Sequence, residues 1–121
     1  MQTDDLKSLC KSVLEINPKI RFVGGVSEKG RLLESITRDG VILHVTDMEQ
    51  EMLFMETALR WLMRPEYDEK LGPVEFSLVQ RKKVIMMGFL IKDNILCIST
   101  DLGIDISEIT LMIRDCIKKQ I

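Results

Sequence analysis

The sequence has little of what catalysis and metal binding usually need. It contains one histidine, His44, and no serine, cysteine or carboxylate stands at a telling spacing from it. The three cysteines are an odd number without the spacing of a metal site, and all lie at apolar positions typical of reduced core residues. Most carboxylates fall at helix starts and turns, where capping explains them. We therefore predict a protein that is not an enzyme and binds no metal or cofactor.

Long hydrophobic runs and excess positive charge are also missing. The longest apolar run, Val84–Ile91, is far shorter than the roughly 20 residues that cross a membrane. The chain begins with acidic residues where a secretory signal would be basic. Its net charge is −2, and the basic turn Arg81–Lys83 has no interleaved aromatic residues. We expect a cytoplasmic protein without nucleic-acid or membrane partners.

One glycine-rich stretch, "GGVSEKGRL" at Gly24–Leu32, approaches a phosphate-binding loop because Gly25 and Gly30 have the required spacing. That loop continues with a lysine, a hydroxyl residue and a helix. Here Arg31 and strand-like apolar residues follow instead. The segment is predicted to be a tight hairpin turn, with Gly24 and Gly25 at a strand bend or at a close approach of another backbone.

Hydrophobic periodicity predicts the element order α-β-β-α-β-β-β-α within a single domain, residues 1–121. The middle helix is predicted to begin at a capping box formed by Thr46 and Glu49 and to end before Pro65. The last helix is predicted to be capped by Asp105 and Glu108. "VILHV" at 41–45 indicates a brief extra strand, and "PEYDEKLGP" at 65–73 indicates a polar loop.

The middle helix has more apolar surface than one contact needs. A narrow stripe is predicted to pack on the sheet: Met48, Met52, Met55, Leu59 and Leu62. Phe54, Ala58 and Trp61 lie on the adjoining flank, and the apolar arc reaches roughly 200°, about twice the usual width. Either loop 37–47 or the terminal helices cover this flank, or it contacts the same helix of a second subunit. Because exposing Phe54 and Trp61 is costly, the two-fold contact is favoured.

The hairpin "FVGGVSEKGRLLES", the helix "MEQEMLFMETALRWLM" and the strands "VEFSLVQRKKVIMMGFLIKDNILCIST" resemble the Roadblock/dynein light chain family over residues 4–119. The resemblance implies an α+β fold of profilin-like architecture with one five-stranded antiparallel sheet. The middle helix would cover one face and the terminal helices the other. It also implies pairing of two subunits through the middle helix and the next strand. Members act as scaffolds or regulators of Ras-like small GTPases, usually without a catalytic site.

Two strings, "MRPEYDEKLGPV" and "RKKVIMM", more closely resemble a small uncharacterised protein family of ammonia-oxidising archaea, which implies an archaeal source. The predicted role is a homodimeric adaptor that presents a surface to another protein, with a small GTPase as candidate partner. The predicted dimer interface comprises Phe54, Met55, Ala58, Trp61, Leu62, Glu75, Ser77 and Val79. The predicted partner surface comprises Arg38, Arg60 and Arg64.

A ligand-sensing domain of the PAS type is the alternative. That class also places helical sequence between two strands and three strands. Its apolar pocket would be enclosed by "VIMMGF" at 84–89 facing Met52 and Met55. Against it, the sequence offers one long middle helix where the PAS type usually has several short ones.

Overall fold

The elements follow the chain in the predicted order, with one short helical addition. The computed structural model describes residues 3–63 and 65–120. The helices are α1 (Thr3–Leu14), α2 (Asp47–Met63), α3 (Asp68–Leu71) and α4 (Ile106–Gln120), with a 3₁₀ turn at Pro65–Tyr67. The strands are β1 (Ile20–Ser27), β2 (Leu32–Thr37), β3 (Phe76–Gln80), β4 (Ile85–Ile91) and β5 (Asn94–Thr100).

All five strands join one antiparallel sheet in the order β2-β1-β5-β4-β3. Hairpins join β1 to β2, β3 to β4 and β4 to β5, whereas the segment from β2 to β3, which contains α2, crosses from one edge of the sheet to the other. This leaves β2 and β3 as the two edge strands. The α+β fold and the element order predicted from the sequence are confirmed.

Two segments between the elements differ from prediction. Residues 41–45 form no strand; Val41 instead closes a turn onto the Arg38 carbonyl, and Arg21 holds the Ile42 carbonyl. The 65–73 segment is not simply a loop. Pro65 suits the first turn of a helix, and Gly72, at φ 83°, closes the single turn of α3 by donating to Asp68.

The main core lies between the sheet and the two terminal helices. Helices α1 and α4 contact each other and share one continuous buried cluster with the sheet. Strand β4 shows the alternation that produces it: Ile85, Met87, Phe89 and Ile91 are buried towards these helices. The opposite face carries α2 and a smaller cluster around Phe22, Val26 and Phe54. The predicted placement of the helices is therefore confirmed.

The β1–β2 connection is the tight turn expected from its glycine. Gly30 donates its backbone N–H to the Ser27 carbonyl at 2.9 Å and has φ 83°, a conformation that glycine adopts without strain. The predicted bend is also present, since the β1–β2 register shifts between Gly25 and Val26. The neighbour packed against Gly25 is a side chain, that of Leu6, and not another backbone.

Helix α2 begins with the predicted capping box. The backbone N–H of Thr46 donates to Glu49 Oε1 at 2.9 Å, and the backbone N–H of Glu49 donates to Thr46 Oγ1 at 3.2 Å. Two interactions with Thr46 lower the pKa of the Glu49 carboxyl. The hydrogen bond with the Thr46 backbone has the larger effect, and the one with the Thr46 side chain has the smaller effect. Asp105 likewise caps α4 through the Glu108 N–H at 3.1 Å.

Candidate protein-interaction site

Helix α2 packs on the sheet with the flank that was predicted to face outward. Phe54 and Ala58 are buried, only 7% and 4% exposed, and Trp61 is half-buried. The Phe54 ring stacks on Phe22 of β1, with centroids 6.2 Å apart. The predicted orientation of α2 is therefore wrong. Phe54 and Ala58 are covered by their own chain.

A row of small residues across the sheet explains this orientation. Direct cross-strand pairing aligns one small residue from each of the five strands: Ser35, Gly24, Cys97, Gly88 and Ser77. This small-residue row faces α2 and leaves space above the sheet, which large, rigid aromatic side chains fill better than flexible methionines. No single strand shows the row, so it becomes visible only once the register is known.

The predicted docking stripe is instead the outer surface of α2. Met48, Met52, Met55, Leu59 and Leu62 are between 56% and 72% exposed, and Met63 beside them is 69% exposed. Their separations alternate between four and three residues, the heptad spacing of a seam between two packed helices. We call these five residues the outer seam. Exposed apolar strips of this kind are typical of protein-interaction sites.

Edge strand β3 also contributes side chains to the sheet face that carries α2. Ser77 and Val79 point to the α2 face, as their pairing with Gly88 and Met86 shows, and both are half-buried. Glu75 lies directly before the strand. Its Oε2 forms an ion pair with Nη2 of Arg114 on α4, and the two atoms are 3.1 Å apart. Of the three interface candidates at or next to β3, Glu75 is therefore the one that contacts a terminal helix.

A cavity of about 140 Å³ separates α2 from β3, β4 and β5. It brings together four residues of the predicted sites, Phe54, Trp61, Ser77 and Val79, with Arg60 at its rim. Its wall also includes Leu43 and Cys97, which sequence reasoning did not select, and Met86, which the PAS alternative placed in a pocket wall. The apolar run at 41–45 was a signal for Leu43, although it was interpreted as a strand.

The three predicted partner cations have different environments. Arg38 is not free: its Nε donates to the Ile20 carbonyl at 2.7 Å, and its Nη2 donates to carbonyls at the end of α1. It acts as a clamp on the α1–β1 connection. Arg60 is about half exposed and forms an ion pair with Glu56 one helical turn away. Arg64 lies outside the described residues.

The cysteine thiols are held in their neutral forms. Burial raises the pKa of Cys97, on the cavity wall, to about 12, and that of Cys10, on the buried face of α1, to about 11. Burial also raises the pKa of Cys116. A neutral, buried thiol is a poor nucleophile and a poor metal ligand, so these groups behave as small apolar side chains.

Within the described residues, no cluster of three or more His, Cys, Asp or Glu side chains is placed to hold a metal ion. The helices of the same part of the chain include none with the length and apolar character to cross a bilayer.

Comparison with known proteins identifies the family and the fold. The whole chain, residues 1–121, matches the DUF6659 family, and the protein belongs to this family of unknown function. No curated protein matches the sequence. An archaeal source is tested by none of these matches and stays a prediction.

Solved structures of Roadblock/LC7 type share its architecture. A Roadblock/LC7 domain from Streptomyces avermitilis superposes with a TM-score of 0.72 at 10% identity, covering 95% of this chain and 93% of that one. The gliding protein MglB from Thermus thermophilus gives 0.77 at 10% identity, with coverage of 95% and 84%. MglB in a tetrameric arrangement gives 0.78 at 11% identity, with coverage of 98% and 86%. These identities show the fold alone.

The fold argues against the PAS alternative. A helix of 17 residues, α2, occupies most of the middle position and is followed by the 3₁₀ turn and the single turn of α3, and the similar structures are of Roadblock/LC7 type. Of the pocket walls in that prediction, Met86 of "VIMMGF" lines the cavity, whereas Met52 and Met55 face outward.

Proposed function

We propose that this protein is a non-enzymatic homodimeric adaptor whose two chains associate through α2 and the β3 edge. The observation that carries the proposal is the outer seam, five large apolar side chains with heptad spacing on an exposed helix face. Burying one such side chain contributes about 1.5–3 kcal/mol of favourable free energy, so packing against the outer seam of a second copy would stabilise the dimer.

The β3 edge supports a two-fold arrangement. Strand β3 pairs with β4 on one side only, which leaves hydrogen-bonding groups along its other edge. An antiparallel strand from a second copy satisfies these groups on both chains, as a two-fold axis requires. In this proposal Met55 and Leu62 stay in the interface with Ser77 and Val79. The buried residues Phe54 and Ala58 position the helix from below, with Trp61 beside them.

Solution mass tests the dimer. Light scattering over a hundredfold concentration range is expected to give about two chains for the natural protein. Leu59→Glu places a charge in the outer seam and should give one chain with an unchanged circular dichroism spectrum. Leu111→Glu is the matched control, because Leu111 on α4 is 58% exposed against 57% for Leu59. One chain for the natural protein, or two for a folded Leu59→Glu, would refute the proposal.

The dimer would present a composite surface to another protein, and we propose a Ras-like small GTPase as the partner class. The resemblance to the Roadblock family and the shared fold support this choice. Purified Ras-like GTPases from the source organism, each loaded with GDP or a GTP analogue, can be titrated against the protein by interferometry. Binding that depends on the nucleotide is expected, and Arg60→Ala should weaken it. The absence of binding in either state across the panel would exclude this partner class.

A further inference from the structure

We propose that the cavity between α2 and the sheet binds a small uncharged apolar molecule about the size of one aromatic ring. Its volume of about 140 Å³ sets that size. Drug-sized ligands occupy pockets of roughly 300–1,000 Å³, whereas an engineered apolar cavity of about 150 Å³ in another protein stays dry and takes up benzene or xenon. A single ring therefore matches this volume, and a fused polycyclic molecule is expected to bind far more weakly.

The shape of the cavity follows from the small-residue row. Gly88 has no side chain on its floor, and an added Cβ there would lie 3.3 Å from Ser77 Oγ. Cys97 continues the floor into the next strand. The roof is made by Phe54 and Trp61, which are rigid and cannot collapse into the gap. The space is thus built by the sheet register and by α2 together.

The chemistry of the wall selects an uncharged ligand. Apolar groups from Phe22, Leu43, Leu53 and Met86 form much of the lining, and His44, Gln50 and Ser99 are polar members of it. The charged groups at the wall already have partners: Arg21 bonds Asp101 and the Ile42 carbonyl, and Arg60 pairs with Glu56. The Thr57 hydroxyl donates to the Leu53 carbonyl. A ligand carboxylate or phosphate would have to compete with the internal partners of both guanidinium groups, whereas an apolar ring would not.

Because the lining residues Ser77 and Val79 also belong to the proposed dimer interface, binding is measured both in the natural protein and in a monomer-directed variant. The probe is fluorobenzene, followed by ¹⁹F NMR and by the emission of Trp61, which is the single tryptophan of the sequence. Both signals should change saturably and with one dissociation constant. The monomer-directed variant Leu59→Glu should bind within twofold of the natural protein. Fluoronaphthalene should give no saturable change.

A matched pair of variants at the two ends of the small-residue row separates specific from surface binding. Ser77→Leu fills the cavity from β3 and should weaken binding at least tenfold. Ser35→Leu makes the same change on the other edge strand, away from the cavity, and should leave binding within twofold. If Ser77→Leu does not fold, Gly88→Ala narrows the same floor and serves in its place. No saturable signal in the natural protein, or equal affinity in the two serine variants, overturns the proposal.

Discussion

Gly30 of the β1–β2 turn lies directly against Met55 in the middle of α2. A Cβ added to Gly30 would stand 2.7 Å from the Cα of Met55, closer than two carbon atoms can approach without displacement. The near miss to a phosphate-binding loop is therefore a packing contact. The glycine allows the hairpin to support the helix that carries the outer seam.

Replacing Gly30 should be more costly than replacing a glycine with the same backbone angle elsewhere. Gly40 has φ 81° and nothing within 4 Å of an added Cβ, so Gly40→Ala should cost about 1–2 kcal/mol from backbone strain alone. Gly30→Ala should cost about 1–3 kcal/mol more, because α2 must shift. Urea unfolding measures both. Equal losses for the two variants would show that the contact with Met55 is unimportant.

The observed orientation of α2 predicts opposite results for its two faces. Phe54→Ala should lower the free energy of unfolding by about 3–5 kcal/mol, because it empties the stacked contact with Phe22. Met52→Ala on the exposed face should change it by no more than about 0.5 kcal/mol. Both are measured in the Leu59→Glu background, so that subunit dissociation does not contribute. A larger loss for Met52→Ala would restore the orientation predicted from the sequence.

Arg38 should matter for stability and not for partner binding. Its guanidinium bonds the carbonyls of Leu14, Asn17 and Ile20, which a single ammonium cannot match. Arg38→Ala should lower the free energy of unfolding by about 3 kcal/mol, and Arg38→Lys should recover part of it. Arg31→Ala, at an exposed position on the turn, is the control and should be nearly neutral. Lost partner binding with unchanged stability would return Arg38 to the partner surface.

Burial of Cys97 should make stability fall in alkaline solution. Its pKa of about 12 in the folded chain exceeds the ordinary value of 9.0. Between these values the unfolded chain loses a proton that the folded chain keeps. The contribution of the protonated Cys97 thiol to the free energy of unfolding is therefore complete below about pH 9, and it is lost as the pH rises towards 12.

Comparison with Cys97→Ala isolates this effect from other groups that titrate in the same range. Urea midpoints measured at pH 8 and pH 10 should fall further for the natural protein than for the variant. Parallel declines would show that the thiol ionises equally in both states. The Cys10 thiol, with a pKa of about 11, is present in both proteins and cancels in the comparison.

Much of the fold could be predicted from local patterns because its signals are local. The Thr46–Glu49 box, the Gly30 turn and the alternation of β3 each depend on a few neighbouring residues. The orientation of α2 could not be predicted in this way, because both of its apolar faces satisfy helical periodicity. The choice between them depends on the small-residue row, whose five members are far apart in sequence and meet only through strand pairing.

The candidate site divides in the same way. That α2 carries excess apolar surface follows from its composition, and the exposed seam accords with it. The exposure of the individual cations could not be predicted from the sequence. Arg38 donates to carbonyls of a helix and a strand that precede it by about twenty residues, and no local pattern indicates these bonds. The cavity was equally hidden, since it arises where side chains are small or missing.

The side-by-side packing of α1 and α4 has a practical consequence for experiments on this protein. Gln120 near the end of α4 donates from Nε2 to Ser12 Oγ of α1 at 2.7 Å, so the last helix is anchored on the face opposite to α2. A fluorophore, biotin or affinity handle attached after α4 would project from that opposite side. Immobilised protein would then keep the outer seam, the cavity mouth and the β3 edge turned towards the solution.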